Sequence, residues 1–154
     1  MAKLPDVPVL EQQFCFALYS ASKALIRAYT PLLEPLALTY PQYLVMMLLW
    51  ETDGIAVKDL GERLHLDSGT LTPLLKRLEA QGHVARRRDT TDERVVRIDL
   101  TAAGSKLREK ARAVPLEIAC RNGFDVEKSR DRAQIARLRD ELTELTARIT
   151  ALEP

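Results

Sequence analysis

Between Val57 and Leu100 the spacing of apolar residues switches from helical to strand-like, in an order that few folds accommodate. Leu60 and Leu64 mark a short helix over Val57–Leu64. A second helix, predicted over Ser68–Gln81, sends Leu71, Leu74, Leu75 and Leu78 to one side, and Gly82 stops it. Two alternating runs follow, Val84–Arg88 and Val95–Leu100, joined by a polar loop carrying Asp92, Glu93 and Arg94. Helix, turn, helix and basic hairpin, in that order, predict a winged helix-turn-helix that reads double-stranded DNA.

If the leucines of the second helix face the core, Gly69, Thr72, Pro73 and Lys76 point outward, with Thr70 and Arg77 on the flanks. Ser68 suits the N-cap. A recognition helix presents its first turns to base edges. Ser68, Thr70 and Thr72 are therefore candidates for hydrogen bonds to base or phosphate, and Lys76 and Arg77 for phosphate contacts. In the hairpin, Arg86, Arg87, Arg88, Arg94 and Arg97 outnumber Asp89, Asp92 and Glu93. Alternation sends Arg86 and Arg88 to one face, where they are candidates for DNA contact, and Arg87 to the other. Arg94, at the tip, is placed for the minor groove, where a narrow groove concentrates negative potential. Asp92 can hold its guanidinium in a bidentate pair.

A chain of 154 residues fits one domain with a sizeable core, or one subunit of an oligomer. The net charge of +1 gives no bulk attraction to nucleic acid or acidic lipid, so DNA affinity has to come from local patches. Met1–Val9 contains prolines and the charges Lys3 and Asp6 but no apolar core, unlike a signal or transit peptide. The longest near-apolar run, Tyr43–Trp50, is far too short to cross a bilayer, and the expected location is cytoplasmic. Cys15 and Cys120 lie far apart and form no zinc spacing with His65 or His83; no metal or other cofactor is expected. In a reducing cytosol each thiol is either inert packing or redox chemistry.

Outside the hairpin the pattern is helical. Leu10, Phe14, Ala17, Leu18, Ala21, Leu25 and Ala28 predict one long helix from Val9 to Tyr29, with Pro31 and Pro35 interrupting after it. Pro41 suits the first turn of a helix from Gln42 to Thr52, apolar nearly all round and ended by Asp53 and Gly54. After the wing, Thr101 opens a helix predicted to run through Leu107 toward Cys120, kinked at Pro115 and broken at Asn122 and Gly123. The last helix, from Val126, repeats Ile135, Leu138, Leu142, Leu145, Ile149 and Leu152 at alternating spacings that make a coiled-coil seam. Such a seam needs a partner, either its own chain or, the preferred reading, a second copy. A homodimer also matches a pseudo-palindromic operator with half-sites about 34 Å apart. The expected fold is mainly α with a small β-hairpin wing, one domain over residues 1–154. Residues 1–40 and 102–154 are its dimerisation helices, and 41–101 its winged unit.

This order of elements, with the Asp92-Glu93-Arg94 wing, resembles the MarR family of dimeric regulators over essentially the full chain. Phe14-Cys15-Phe16-Ala17-Leu18-Tyr19-Ser20-Ala21 and Leu38-Thr39-Tyr40-Pro41-Gln42-Tyr43-Leu44 are similar to the organic hydroperoxide resistance regulators (OhrR) within that family. The resemblance implies that Cys15 is a peroxide-reactive thiol and that Tyr29 and Tyr40 hydrogen-bond it from the other subunit. It also implies that Cys120 resolves the oxidised Cys15 as an intersubunit disulfide, where single-cysteine members use a small external thiol. Residue chemistry agrees. Phenol hydroxyls donating to sulfur favour the reactive thiolate. Tyr19, one turn after Cys15, can reach it directly. Tyr29 lies about 21 Å farther along a helix, so only an antiparallel neighbouring chain or a turn at Pro31 could return it to a Cys15. Phe14, Phe16, Leu18, Met46 and Met47 are the expected apolar pocket, favouring bulky organic hydroperoxides as effector. The competing readings are a regulator released by a small phenolic ligand, a thiol peroxidase, and a structural dimerisation protein. No general acid or anion-binding loop accompanies Cys15, so an enzyme is not expected.

Overall fold

A computed structural model describes residues 9–152. The chain divides into two compact units, Met1–Arg112 and Ala113–Pro154. The first unit opens with a short 3-10 turn, Leu10–Gln12, and helix α1, Phe14–Leu33. The interruption expected at Pro31 does not occur, because Pro31 lies inside α1. Near the end of a helix the ring's fixed φ still fits, and only one intrahelical hydrogen bond is forgone. A second 3-10 turn, Glu34–Leu36, and a left-handed Ala37 (φ 54°) then redirect the backbone.

Helix α2, Tyr40–Glu51, starts earlier than the proline alone suggested, because Thr39 and Gln42 form a reciprocal cap. Thr39 N donates to Gln42 Oε1 at 2.8 Å, and Gln42 N donates to Thr39 Oγ1 at 3.5 Å. The helix is buried along Tyr43, Val45, Met46, Leu48 and Leu49. Strand β1, Ile55–Ala56, had no signal in the sequence; it is too short to show alternation. Helix α3, Val57–Leu64, then turns at His65 (φ 53°) into α4, Ser68–Ala80. The turn closes tightly over Gly61, where a Cβ would stand 2.9 Å from the Leu66 carbonyl oxygen. Strands β2, Val84–Arg88, and β3, Val96–Leu100, complete an antiparallel sheet of order β1-β3-β2. Its register pairs Ile55 with Ile98 and Val84 with Leu100. Thr101 caps α5, Ala102–Ala111.

Leu33, Val45, Met46, Leu49, Leu60, Leu71, Leu75, Leu78 and Ile98 are fully buried. Each such side chain contributes about 1.5–3 kcal/mol relative to exposure. Together they weld the two helices of the reading head to α2 and to the sheet behind the wing.

In the second unit, α6 spans Val114–Arg121 and α7 Ser129–Thr150. The single kinked helix expected between Thr101 and Cys120 is thus two helices. Pro115 sits in the first turn of α6, where its missing N–H costs no hydrogen bond. No residue of α7 is buried, and its seam residues Leu138, Leu142 and Ile149 are 40–49% exposed. Among the described residues, no single helix is long and apolar enough to cross a membrane. No group of three or more His, Cys, Asp or Glu among them could hold a metal ion.

Candidate functional site

The reading head presents the start of α4. Leu71, Leu75 and Leu78 face inward, which leaves Ser68, Thr70, Lys76 and Arg77 exposed and Thr72 half-buried. Ser68 is the first helical residue and not the cap. Asp67 caps α4, its carboxylate accepting from Thr70 N at 2.8 Å and from Thr70 Oγ1 at 2.9 Å. These hydrogen bonds hold the Asp67 carboxyl below the usual carboxylate range, so the cap is ionised at neutral pH. Asp67 and Ser68 are both good caps in sequence, and the helix starts one residue earlier than a Ser68 cap requires. The chain continues helically through Pro73.

The wing differs from a simple basic surface. Arg86 turns back onto α4: its Nε lies 3.3 Å from Glu79 Oε2, and Nη2 donates to the Thr72 carbonyl at 3.5 Å. Half-buried there, Arg86 braces the recognition helix instead of projecting toward DNA as the strand alternation suggested. Arg87 pairs with Asp99 at 2.5 Å, and Arg97 pairs with Asp89. Arg88 has no carboxylate partner among the described residues and contacts only the Glu93 carbonyl, at 3.4 Å. At the tip, Arg94 Nε and Nη2 donate to the two oxygens of Asp92 at 3.1 and 3.2 Å, the expected bidentate arrangement. That pair lowers the Asp92 carboxyl below its usual range, while the Arg94 side chain stays 90% exposed. A guanidinium so held is oriented yet free to enter a groove.

Cys15 stands exposed in the first turn of α1, and Cys120 is also exposed. Tyr19 does not donate to Cys15. It is exposed, with Lys23 Nζ 5.5 Å from its ring centre. Because α1 runs on through Pro31, a turn there cannot bring Tyr29 back. Tyr29 instead packs against Tyr40 in a tilted arrangement, ring centres 4.7 Å apart, with Tyr43 6.0 Å away. Burial first, then the neighbouring Tyr40 and Tyr43, push the Tyr29 phenol up to about 12. Tyr40 is raised by burial too. Both hydroxyls therefore remain protonated donors at neutral pH. The apolar residues assigned to a pocket are not one surface. Phe14 and Met47 are exposed, Phe16 and Leu18 half-buried, and Met46 fully buried in the core. Met46, like Val45, is buried in the core of its own chain and lines no surface open to solvent there.

A family model described as transcriptional regulator SarA/Rot matches residues 27–111. The HTH-type transcriptional regulator TtmR of Methylorubrum extorquens (strain PA1) is 51% identical over 138 residues, 89% of this chain and 71% of that protein. The organic hydroperoxide resistance transcriptional regulator of Bacillus subtilis (strain 168) is 54% identical over 106 residues, 69% of this chain and 72% of that one. The chain belongs to the MarR/SarA family of winged-helix transcriptional regulators. Among solved structures this MarR-type chain is similar to reduced AbfR bound to DNA, a protein of Staphylococcus epidermidis. The TM-score is 0.69 and the identity 33%, covering 88% of this chain and 93% of the other.

Proposed function

We propose that this MarR-type chain forms a homodimer that represses transcription at a pseudo-palindromic operator on double-stranded DNA, and releases it when an organic hydroperoxide oxidises Cys15. The observation that carries this reading is the solvent-exposed Cys15 at one end of α1, with the protonated Tyr29–Tyr40 pair gathered near the other. Two copies of α1 laid antiparallel would bring each thiol to the partner's phenols. The helix is suited to such cover, since Phe14, Leu25 and Ile26 are 62, 38 and 38% exposed in one chain. The open seam of α7 is a second surface of the same kind. Ser68, Thr70, Thr72, Lys76 and Arg77 would meet the major groove and its phosphates, and Arg88, Asp92 and Arg94 would form the wing contact.

In the first step the Cys15 thiolate attacks a peroxide oxygen. The O–O bond breaks, the alcohol leaves with a proton, and a sulfenic acid remains. In the second, the thiol of Cys120 of the partner subunit displaces water from that sulfenic acid to form a disulfide. A disulfide requires Cα atoms within about 7 Å, so closing it can drag helices and spoil half-site spacing. AbfR structures support the second step as the releasing one. That protein was solved on DNA when reduced and when overoxidised, and separately with its disulfide formed. The sensor acts once per oxidation and not as an enzyme, and a protein that reads chromosomal DNA works in the cytoplasm.

The test is electrophoretic mobility shift on the DNA upstream of the chain's own gene, with and without cumene hydroperoxide. The reduced wild type is expected to bind and to be released by the peroxide. Cys15→Ser is expected to bind and to stay bound. Release of that variant by the peroxide overturns the assignment. Release of the wild type by a phenolic acid alone favours the ligand-released alternative.

A further inference from the structure

We propose that Asp89 and Arg97 form a positioning clamp for the wing, governing DNA affinity through Arg94 without touching the nucleic acid; the proposal rests on the DNA-reading assignment above. In the sheet, Arg97 stands directly opposite Arg87, and two like charges so paired repel. Each is relieved by its own carboxylate, Arg87 by Asp99 and Arg97 by Asp89. The second pair does more than neutralise. Asp89 is buried, and its Oδ1 accepts from Thr91 N at 2.8 Å, Thr91 Oγ1 at 2.6 Å and Asp92 N at 3.3 Å. One carboxylate thus gathers the first half of the wing loop around itself. Its other oxygen takes the Nε of Arg97, whose Nη1 donates to the Gly54 carbonyl at 2.9 Å. The loop root is therefore tied through a single arginine to the turn that follows α2. Asp92, which orients Arg94, hangs by its own backbone N–H from the same Asp89 carboxylate.

The arrangement explains why a buried acid sits in a wing meant to approach a polyanion. Asp89 is buried at the loop root, and its charge is taken up by the loop donors and by Arg97. Without Arg97 the loop would still curl, but its root would swing, and Arg94 would meet the groove as one conformer among several.

The experiment measures operator affinity of the reduced full-length protein by fluorescence anisotropy across a salt series. It compares wild type, Arg94→Ala, Arg97→Met and the double variant. Arg94→Ala is expected to weaken binding about tenfold and, because the dimer carries two wings, to flatten the plot of log affinity against log salt by about 1.8. Arg97→Met is expected to reproduce most of both effects, and to add little when Arg94 is already alanine. A merely structural role would lower the melting temperature and cost the same affinity in either background, and such additivity overturns the clamp. So does an unchanged salt slope in Arg97→Met. Asp89→Asn, which keeps the size and one acceptor oxygen, is read by the same cycle and decides the matter if Arg97→Met does not fold. Absence of binding by the wild type overturns the DNA-reading assignment and the clamp with it, whereas wild-type binding with additive losses overturns the clamp alone.

Discussion

One added methyl group at Gly104 tests the packing of the reading head most severely. A Cβ there would stand 2.0 Å from the His83 carbonyl oxygen and 2.9 Å from its carbon. Both are backbone atoms at the start of β2 and cannot swing aside. Several hydrogen bonds share this joint. Trp50 Nε1 donates to Gly104 O at 2.9 Å, Gly104 N to Thr101 Oγ1 at 3.0 Å, and Thr101 N to the same His83 carbonyl at 3.1 Å. To reach ordinary contact distance, α5 must retreat by about 1.5 Å. Overpacking of this kind costs about 1–3 kcal/mol, and a stretched indole hydrogen bond adds about 1 kcal/mol. Alanine's better helix propensity returns about 1 kcal/mol. The expected net loss for Gly104→Ala is about 2 kcal/mol, which for a chain of this size lowers the melting temperature by about 4–8 °C. Trp50 is the sole tryptophan, so its fluorescence in urea and thermal unfolding reports on the joint directly. Curves are compared at one protein concentration, because dimerisation couples to stability. A variant within about 0.5 kcal/mol of wild type, with unchanged tryptophan emission, would refute the reasoning.

Further outcomes follow from individual groups. The fold favours the protonated Tyr29 phenol, raised from 10.0 to about 12, so stability is fully present below pH 10 and declines as pH climbs toward about 12. Urea unfolding across that range should show a shallower decline for Tyr29→Phe; an identical decline would remove Tyr29 from the alkaline titration. Asp67 behaves in the opposite sense. Its carboxyl is held below 3.8, so the cap's contribution is present above that value and is lost as pH falls through the folded-state value. Asp67→Asn should flatten that acid decline in thermal melts. Arg88→Ala should reduce the salt slope of operator binding by about 1.8, about 0.9 for each of the dimer's two wings, whereas Arg86→Ala should lower thermal stability with little change in slope. The reverse ranking would contradict the assignment of Arg86 to α4. On non-reducing gels, peroxide treatment should give a covalent dimer band for wild type and none for Cys120→Ser. A band that survives the substitution rules out the Cys120 bridge.

The reading head was legible because its signals are periodic and local. Leu60, Leu64, Leu71, Leu75 and Leu78 set the bounds of α3 and nearly those of α4, and alternation located β2 and β3. The Asp92–Arg94 pair was legible for the same reason, since two residues in one turn can meet without help from the fold. Errors arose where a residue's role depends on distant chain. Pro31 was read as a stop, but a proline near a helix end is tolerated when the following turn, Glu34–Leu36, supplies the break. Ser68 and Asp67 are equally good caps in sequence, and only backbone geometry chooses between them. Arg86 looked like any other wing arginine until Glu79 and the Thr72 carbonyl claimed it. Gly104 carried no signal at all, because its importance lies wholly in a carbonyl of β2's neighbour His83.

The most direct measurement follows operator release and Cys15 chemistry in one titration. Reduced dimer on fluorescent operator receives cumene hydroperoxide in substoichiometric steps, while sulfenic acid and disulfide at Cys15 are quantified by trapping and mass spectrometry. The account predicts that loss of anisotropy tracks the fraction of Cys15 held in the disulfide, and reverses on reduction. Release that precedes any change at Cys15, or complete conversion of Cys15 to the disulfide with the operator still bound, would contradict it.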